Sequence, residues 1–298
     1  MENENIVVQS ELKNDDLSMN KNKMIWMALM AVLMIAGFTS CSKEDTPSKE
    51  DAEIVDNPTT DSTKKLVRIV YENEFKLETG TDITFTYDDQ GLLKEAIEIC
   101  YYGDEALRFE HKYTWSESSI VINTDIIDET EGNSTSKTTL TLNNGLVQKV
   151  ASDDELMDGA EYSYDSSRRL VKGKSFLGED TYTWEDAQLK SLSCVDGDYL
   201  DKYSFEYGEN STASGFCPII PDRLTNITLY SAHPEIVGLK TNECPNKETF
   251  EWTSPSFTIM YTYNYEYEYD EDGFITKITE TYTDSSEVCT GVFTLVWE

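Results

Sequence analysis

A short pattern of alternating aromatic residues recurs along this chain and constrains its fold more than any other feature. Complete copies begin at Phe85, Tyr162 and Tyr267, and each runs through a second aromatic residue and an Asp into a turn and an apolar-led segment. Variant copies begin at Tyr113, Leu140, Tyr182 and Phe205. The starts from 85 to 205 lie 20 to 28 residues apart, a period that indicates stacked supersecondary units.

Each copy predicts a β-hairpin. Its first strand alternates large apolar residues with Thr, Ser or Glu, the period of a strand with one buried face. An Asp-x-x-Gly or Asn143-Asn144-Gly145 turn follows and supplies the positive φ that a tight turn needs. We therefore expect an all-β, antiparallel meander of seven hairpins, about fourteen strands, in a strongly curved sheet or closed barrel, because large sheets curl and closure removes exposed edges. For residues 97 to 111, a helical turn is the alternative to strand.

The N-terminal region predicts export and lipid attachment. Lys21 and Lys23 precede the apolar run Met27–Gly37, which is too short for a comfortable membrane span. Phe38-Thr39-Ser40-Cys41 resembles the lipobox of bacterial lipoproteins, which implies acylation of Cys41 and anchoring to a membrane. We interpret residues 1–40 as the signal peptide. Met19 is an alternative true start, since residues 1–18 are acidic where a signal should be basic.

Residues 41–63 predict a flexible, lipidated tether, because polar and acidic residues leave little apolar surface to bury. Ser42-Lys43-Glu44-Asp45 is similar to the signal that sends Bacteroidetes lipoproteins to the outer face of the outer membrane, with a periplasm-facing position as the alternative. Residues 64–298 then form a single β domain.

The net charge of −33 argues against nucleic acid as a partner, since phosphates require a basic face. It also argues against electrostatic binding to anionic lipid. Membrane contact is therefore expected through the lipid anchor, with a glycan or a protein as the further partner.

Cysteines beyond Cys41 number five, so at least one stays unpaired in a compartment that permits disulfides. No close pair has the spacing of a zinc or redox site. Cys217 and Cys244 each precede a proline and flank the one irregular insertion, which makes them the favoured bridge. Scattered buried thiols are the alternative.

The regular spacing breaks after Phe205, and five prolines occur before the next complete repeat. Leu224–Tyr230 alternates as a strand would, whereas Gly208–Arg223 and Ser231–Ser254 predict long loops. Long loops inside a compact domain are often functional, so residues around 208–254 are where a ligand is first expected.

The lipobox, the acidic tether and the Tyr-x-Tyr-Asp-x-x-Gly hairpins together resemble a Bacteroidetes lipoprotein family of unknown function whose fold is described as porin-like. The hairpins also resemble the YD-type repeats of bacterial surface and toxin shells. These resemblances imply a barrel or shell of hairpins and no catalytic motif. The short strands and their Glu and Lys residues favour a tethered, soluble barrel over a membrane-spanning one, although Phe293–Trp297 resembles the last strand of outer-membrane barrels.

Catalytic and metal motifs were sought along the same sequence. His111 and His233 have no nucleophile motif beside them, so we predict that the protein is not an enzyme. No cofactor is expected. Asp196-Gly197-Asp198 and Asp270-Glu271-Asp272-Gly273 resemble segments of calcium-binding loops. Hairpin turns, however, favour Asp and Gly because of the backbone conformations that they require.

Tyrosines at alternate positions from Tyr261 to Tyr269 must share one face of a strand. They form either a core ladder or a stacking platform for sugar rings. The sequence therefore predicts a surface or periplasmic lipoprotein that binds a glycan or another envelope partner. A purely structural envelope component and a hydrolase with an acidic site are the alternatives.

Overall fold

The computed structural model describes residues 64–73, 79–103, 105–128, 130, 132–154, 157–175, 178–215, 217, 227–284 and 287–298. Strands within these ranges close into a single antiparallel barrel of sixteen members. They are β1 (Leu66–Asn73), β2 (Thr79–Tyr87), β3 (Leu93–Tyr102), β4 (Glu105–Trp115), β5 (Ser119–Asp128), β6 (Ser134–Asn143), β7 (Leu146–Ser152), β8 (Glu161–Tyr164), β9 (Leu170–Ser175), β10 (Gly178–Glu185), β11 (Gln188–Asp196), β12 (Tyr199–Ser211), β13 (Glu243–Thr253), β14 (Thr258–Tyr269), β15 (Ile275–Asp284) and β16 (Glu287–Trp297).

Pairing between β1 and β16 closes the barrel. Their ladder runs from Leu66 opposite Trp297 to Asn73 opposite Gly291, and Lys65 and Glu298 exchange backbone hydrogen bonds beyond it. The predicted all-β meander is confirmed, and the closed barrel is the form it takes. The count of about fourteen strands was too low because the eighth pair joins the two ends of the domain, where no turn marks a repeat.

The helical alternative for residues 97 to 111 is wrong. This stretch runs from β3 into β4, and Gly103 makes the turn between them at a φ of +60°. Its isoleucines and aromatic residues alternate as a strand requires.

The repeated aspartate shapes the turn at one end of each complete hairpin repeat. The Oδ1 atoms of Asp88, Asp165 and Asp270 each accept two backbone N–H groups, from the residues two and four positions later, at 2.9 to 3.0 Å. One carboxylate oxygen therefore holds the whole turn, which explains why Asp recurs there.

A β-bulge follows these turns in the same place in several hairpins. The register shifts by one residue where β2 meets β3, β6 meets β7, β8 meets β9, β10 meets β11 and β14 meets β15. In the first of these, Tyr87 pairs with Leu93 while Thr86 pairs with Glu95, which leaves Lys94 as the extra residue. The bulge therefore recurs at the start of the second strand of these hairpins.

The barrel is filled by its own side chains. Inward-facing residues from strands around the whole circle join one buried cluster. Outward-facing residues are largely polar and form cross-strand ion pairs at 2.6 to 3.0 Å: Arg68–Asp82, Lys112–Asp125, Lys149–Glu161, Lys247–Glu206 and Lys277–Glu268. The wall therefore has the polarity of a protein surface in water.

The described residues of the segment between β12 and β13 (212–215, 217 and 227–242) pack into one end of the barrel, and we call them the plug. It contains the helix α1 (Ile227–Ala232) and the 3₁₀ helix Pro234–Val237. The Leu93 N–H donates to His233 Nε2 at 3.1 Å, and the Leu170 N–H donates to the Gly238 carbonyl at 3.0 Å. The plug is thus bonded to β3 and β9.

The structure corrects two expectations for this insertion. Residues 227–230 are helical, because Thr228, Leu229 and Tyr230 are all buried in the barrel end and the alternation of a half-buried strand does not apply. The stretch predicted as loop up to residue 254 is shorter than expected, since β12 extends to Ser211 and β13 covers Glu243–Thr253. Pro245 is accommodated where the β12–β13 register shifts.

No helix in the described part of the chain has the length and apolar character to cross a lipid bilayer.

Candidate binding surface at the loop end of the barrel

The two ends of the barrel are distinct. The plug end carries the plug and the Asp88, Asp165 and Asp270 turns. The loop end carries the turns that follow the odd-numbered strands, including those at Gly103, Gly197 and Pro255. The N-terminal segment enters the barrel at the plug end, next to the C-terminus, because Lys65 pairs with Glu298.

Three aromatic side chains form a contiguous surface at the loop end, which we call the aromatic rim: Tyr199, Trp252 and Phe257. The Tyr199 and Trp252 rings stack with centroids 5.9 Å apart, and the Phe257 ring meets Trp252 edge-on at 5.2 Å. Tyr199 is 49% exposed and Phe257 is 54% exposed. Large apolar rings held together in solvent are typical of a binding surface.

Strand geometry places these rings on the inner side of the barrel. Tyr199 has the same parity as Phe205, which is buried in the core, and Trp252 has the same parity as Phe250. The turn at Pro255 and Ser256 is closed by the Ser254 N–H donating to the Phe257 carbonyl at 2.9 Å. That turn fixes Phe257 beside Trp252.

Three carboxylates belong to the strands and turn that carry the aromatic rim. Asp201 is buried and lies opposite Trp252 in the β12–β13 ladder, while Asp196 and Asp198 are exposed in the turn that leads into Tyr199. Flat aromatic faces contact the C–H faces of sugar rings, and carboxylates accept hydrogen bonds from hydroxyl groups. The surface therefore has the chemistry that a neutral sugar chain requires.

The tyrosines of β14 do not form this surface. Tyr261, Tyr263 and Tyr265 are buried in the core, and the Tyr263 ring packs on Tyr282 with centroids 5.1 Å apart. Tyr267 donates to the Pro245 carbonyl, and Tyr269 is 37% exposed at the plug end. Of the two alternatives given for this row, the core ladder is the one that forms.

Two glutamates with raised pKa values lie in the barrel wall, Glu248 buried and Glu280 half-buried. Tyr265 donates to Glu248 at 3.0 Å and Tyr71 donates to Glu280 at 3.4 Å. Burial raises the pKa of Glu248 to about 8 and the pKa of Glu280 to about 7. A Cβ on Gly291 would lie 2.8 Å from the Tyr71 hydroxyl, so glycine makes room for this group.

The two histidines serve as structural hydrogen-bond partners. His111 is buried, with Nδ1 3.0 Å from the Thr124 hydroxyl. His233 Nε2 accepts from a backbone N–H and its Nδ1 lies 3.1 Å from Glu235, so the neutral ring holds its proton on Nδ1.

Within the described ranges, no group of three or more His, Cys, Asp or Glu side chains is arranged to hold a metal ion. The Asp270 carboxylate accepts turn N–H groups and pairs with Lys64 at 2.8 Å. Cys41 and the whole predicted tether lie outside the described residues.

Sequence reasoning did not single out the aromatic rim. Trp252 lies inside the region where a ligand was expected, but in a strand rather than a loop. Tyr199 and Phe257 sit at strand ends, where alternation does not tell an inward ring from an exposed one. The available signal in the sequence was the pair Trp252 and Phe257, one aromatic residue on each side of the tight turn at Pro255 and Ser256.

Comparison with solved structures supports the fold. A porin-like protein from Bacteroides uniformis matches with a TM-score of 0.51 and 15% sequence identity, over 78% of this chain and 98% of that chain. A porin-like protein from Bacteroides vulgatus matches with a TM-score of 0.28 and 13% identity, over 76% of this chain and 86% of that chain. The similarity to the Bacteroides uniformis protein shows a shared fold only, because the sequence identity is 15%. No family model and no curated protein matches the sequence.

Proposed function

We propose that this protein is an exported, acyl-anchored β-barrel of the bacterial envelope that binds glycan at its aromatic rim. The observation that supports binding most directly is the ring cluster in which the exposed Tyr199 and Phe257 contact the half-buried Trp252. Binding, rather than catalysis or transport, is the activity we assign to it.

The distribution of polarity supports a barrel beside the membrane. A membrane-spanning barrel needs a continuous apolar band on its outer wall, and charges there are costly. Here five cross-strand ion pairs lie on that wall. The interior holds a packed core rather than the polar lining of a channel.

Chain topology gives the anchored barrel an orientation. An acyl group on Cys41 would attach through residues 41–63 to Lys64, at the plug end. The aromatic rim lies at the other end, away from the attachment point. This arrangement suits a receptor that meets its ligand outside the cell, at the outer face of the outer membrane. A periplasm-facing position is the alternative.

The binding proposal is tested by screening the purified protein on a glycan array of plant and host polysaccharides, then titrating each hit by calorimetry. We expect Trp252→Ala to weaken binding roughly 5- to 150-fold, since one stacked ring contributes on the order of 1 to 3 kcal/mol. Tyr101→Ala is the matched control, because Tyr101 is 40% exposed on the outer wall, away from the rim. Equal losses in both variants, or no hit on the array, would contradict the proposal and favour a purely structural envelope component.

The anchor is tested separately by growing cells with labelled palmitate. Wild-type protein should take up label and fractionate with membranes, and Cys41→Ala should do neither. Protease added to intact cells then separates the two positions, since only a surface protein is cleaved. Label that persists in Cys41→Ala would overturn the anchoring site without affecting the binding result.

A further inference from the structure

Two buried cysteines meet where the plug joins the barrel wall. Cys217 lies in the plug and Cys244 lies near the start of β13, and both are 0% exposed. The chain segments that bear them run side by side. The Thr212 N–H donates to the Asn242 carbonyl at 2.8 Å, and the Thr241 N–H donates to the Gly215 carbonyl at 3.3 Å. The five described cysteines are thiols in this structure.

The two thiols also share their surroundings. Tyr230 donates to the Cys217 carbonyl at 3.1 Å, and Tyr207 and Tyr267 lie within electrostatic range of both sulfurs. A hydrogen bond from the Cys217 thiol, together with burial, raises the pKa of the Cys244 thiol. The two sulfurs therefore lie close to each other, with tyrosine side chains near both.

We propose that Cys217 and Cys244 are oxidised to a disulfide in the exported protein, and that this bond fastens the plug to β13. Each thiol gives up its proton, one S–S bond forms, and two electrons pass to the disulfide of a thiol oxidant, which becomes two thiols. Exported compartments supply such oxidants. Formation of the disulfide in the cell rests on the export proposed above. Oxidation of the purified protein in vitro does not depend on that export.

The geometry also sets when the bond forms. Attack on an oxidant requires a thiolate, which is scarce for a thiol of raised pKa and has no access to solvent here. Oxidation should therefore be fast while the chain folds and slow once the plug is seated. Cys100, Cys194 and Cys289 are also buried, and they lie on three strands that are not adjacent in the barrel, β3, β11 and β16.

The test uses the full chain purified without reductant from cells that export it. Free thiols are blocked with iodoacetamide under denaturing conditions, and the peptides are mapped by mass spectrometry. We expect a peptide that joins Cys217 to Cys244, with the other three described thiols alkylated. The same protein, reduced, unfolded and then refolded with glutathione disulfide, should regain the bond at least tenfold faster than reduced protein that stays folded.

Thermal unfolding measures what the bond does. Reduction should lower Tm by roughly 6 to 12 °C, because the bridge restricts the unfolded loop between the two cysteines. The Cys217→Ser/Cys244→Ser double variant should lose this response to reductant, and Cys100→Ser should keep it.

A map with no linked peptide after refolding in glutathione disulfide, or one that joins a different pair, would overturn the proposal. Since peptide mapping needs no variant, failure of a variant to fold leaves this outcome decisive. A bond that forms in vitro but not in the cell would instead count against export and leave the pairing intact.

Discussion

The plug end and the loop end of the barrel are built on different principles. At the plug end, seven aromatic side chains each donate a hydrogen bond of 2.5 to 2.8 Å to a backbone carbonyl of the preceding strand. The pairs are Tyr87 with Leu66, Trp115 with Leu93, Tyr164 with Val147, Trp184 with Leu170, Tyr207 with Leu189, Tyr267 with Pro245 and Trp297 with Ile275. At the loop end, the rings of the aromatic rim contact one another and solvent.

This difference teaches that the same residue types stabilise one end through hydrogen bonds and remain partly exposed to solvent at the other. The plug-end aromatics bury their rings and satisfy their polar atoms, as aromatic residues in cores must. Leu142 occupies the equivalent place on β6 and has no donor, so the repeat tolerates an apolar substitute. Substitutions that act unequally at the two ends test this comparison.

The largest contrast should come from the plug core. Leu239 is 0% exposed, so Leu239→Ala should lower the free energy of unfolding by about 3 kcal/mol through lost burial and a cavity. Met260 is 57% exposed near the loop end, and Met260→Ala should change it by less than about 0.5 kcal/mol. Urea unfolding followed by tryptophan fluorescence measures both; similar losses would refute a plug that is packed as core.

A second contrast isolates the fit of the plug against β9. Gly238 has a φ of +68°, and a Cβ there would lie 2.6 Å from the Arg168 carbonyl oxygen. Gly238→Ala should cost about 2 kcal/mol, from backbone strain plus the clash. Gly103, at the loop end, has a φ of +60° and nothing within 4 Å of its Cβ position, so Gly103→Ala should cost only about 1 kcal/mol. Equal losses of stability in Gly238→Ala and Gly103→Ala would mean that the plug shifts to make room for the added methyl group.

Between the two ends, Glu248 should make stability depend on pH. Its pKa of about 8 in the folded protein exceeds that of an unfolded glutamate, about 4.3. The folded state therefore holds the proton more tightly. Its stabilising contribution is complete below the unfolded pKa and is lost as pH rises through the folded pKa.

Over that window the free energy of unfolding should fall by up to about 1.4 kcal/mol per pH unit from this group. Urea unfolding of Glu248→Gln between pH 5 and 8 should show a flatter dependence, whereas Glu266→Gln, an exposed position on the neighbouring strand β14, should follow wild type. Identical slopes in all three proteins would show that Glu248 ionises normally.

The smallest contrast concerns a single hydrogen bond. Tyr87→Phe removes the 2.7 Å bond to the Leu66 carbonyl and should cost about 1 kcal/mol, because the carbonyl loses its partner. Tyr199→Phe at the aromatic rim should leave stability unchanged within about 0.3 kcal/mol while still presenting a ring. If thermal unfolding showed a larger loss of stability for Tyr199→Phe than for Tyr87→Phe, the proposed difference between the two ends would be contradicted.

Much of the fold was predictable because it is local. Each hairpin is encoded within one repeat, through strand alternation, an Asp that accepts turn N–H groups and a Gly or Asn at positive φ, as at Asn144 and Gly145. The two strands of the closing pair, β1 and β16, are not joined to each other by a turn, so their pairing follows from the curvature of the complete sheet.

The insertion between β12 and β13 was predicted less well for the same reason. Its prolines indicated loop, yet Pro245 lies in a strand at a register shift, and residues 227–232 are helical inside the barrel end. The space that the barrel encloses decides this conformation, and no local pattern describes that space. The aromatic rim likewise depends on two hairpins meeting, since Tyr199 and Trp252 are distant in sequence.

By itself, the sequence determined an all-β chain of repeated hairpins, with the interactions of each turn contained within a few residues. Only the tertiary structure decided that the sheet closes, that the insertion plugs one end, and which rings are buried or exposed. The physical reason is range: turn hydrogen bonds and strand alternation act between neighbours, whereas closure, burial and ring stacking join residues that the chain separates widely.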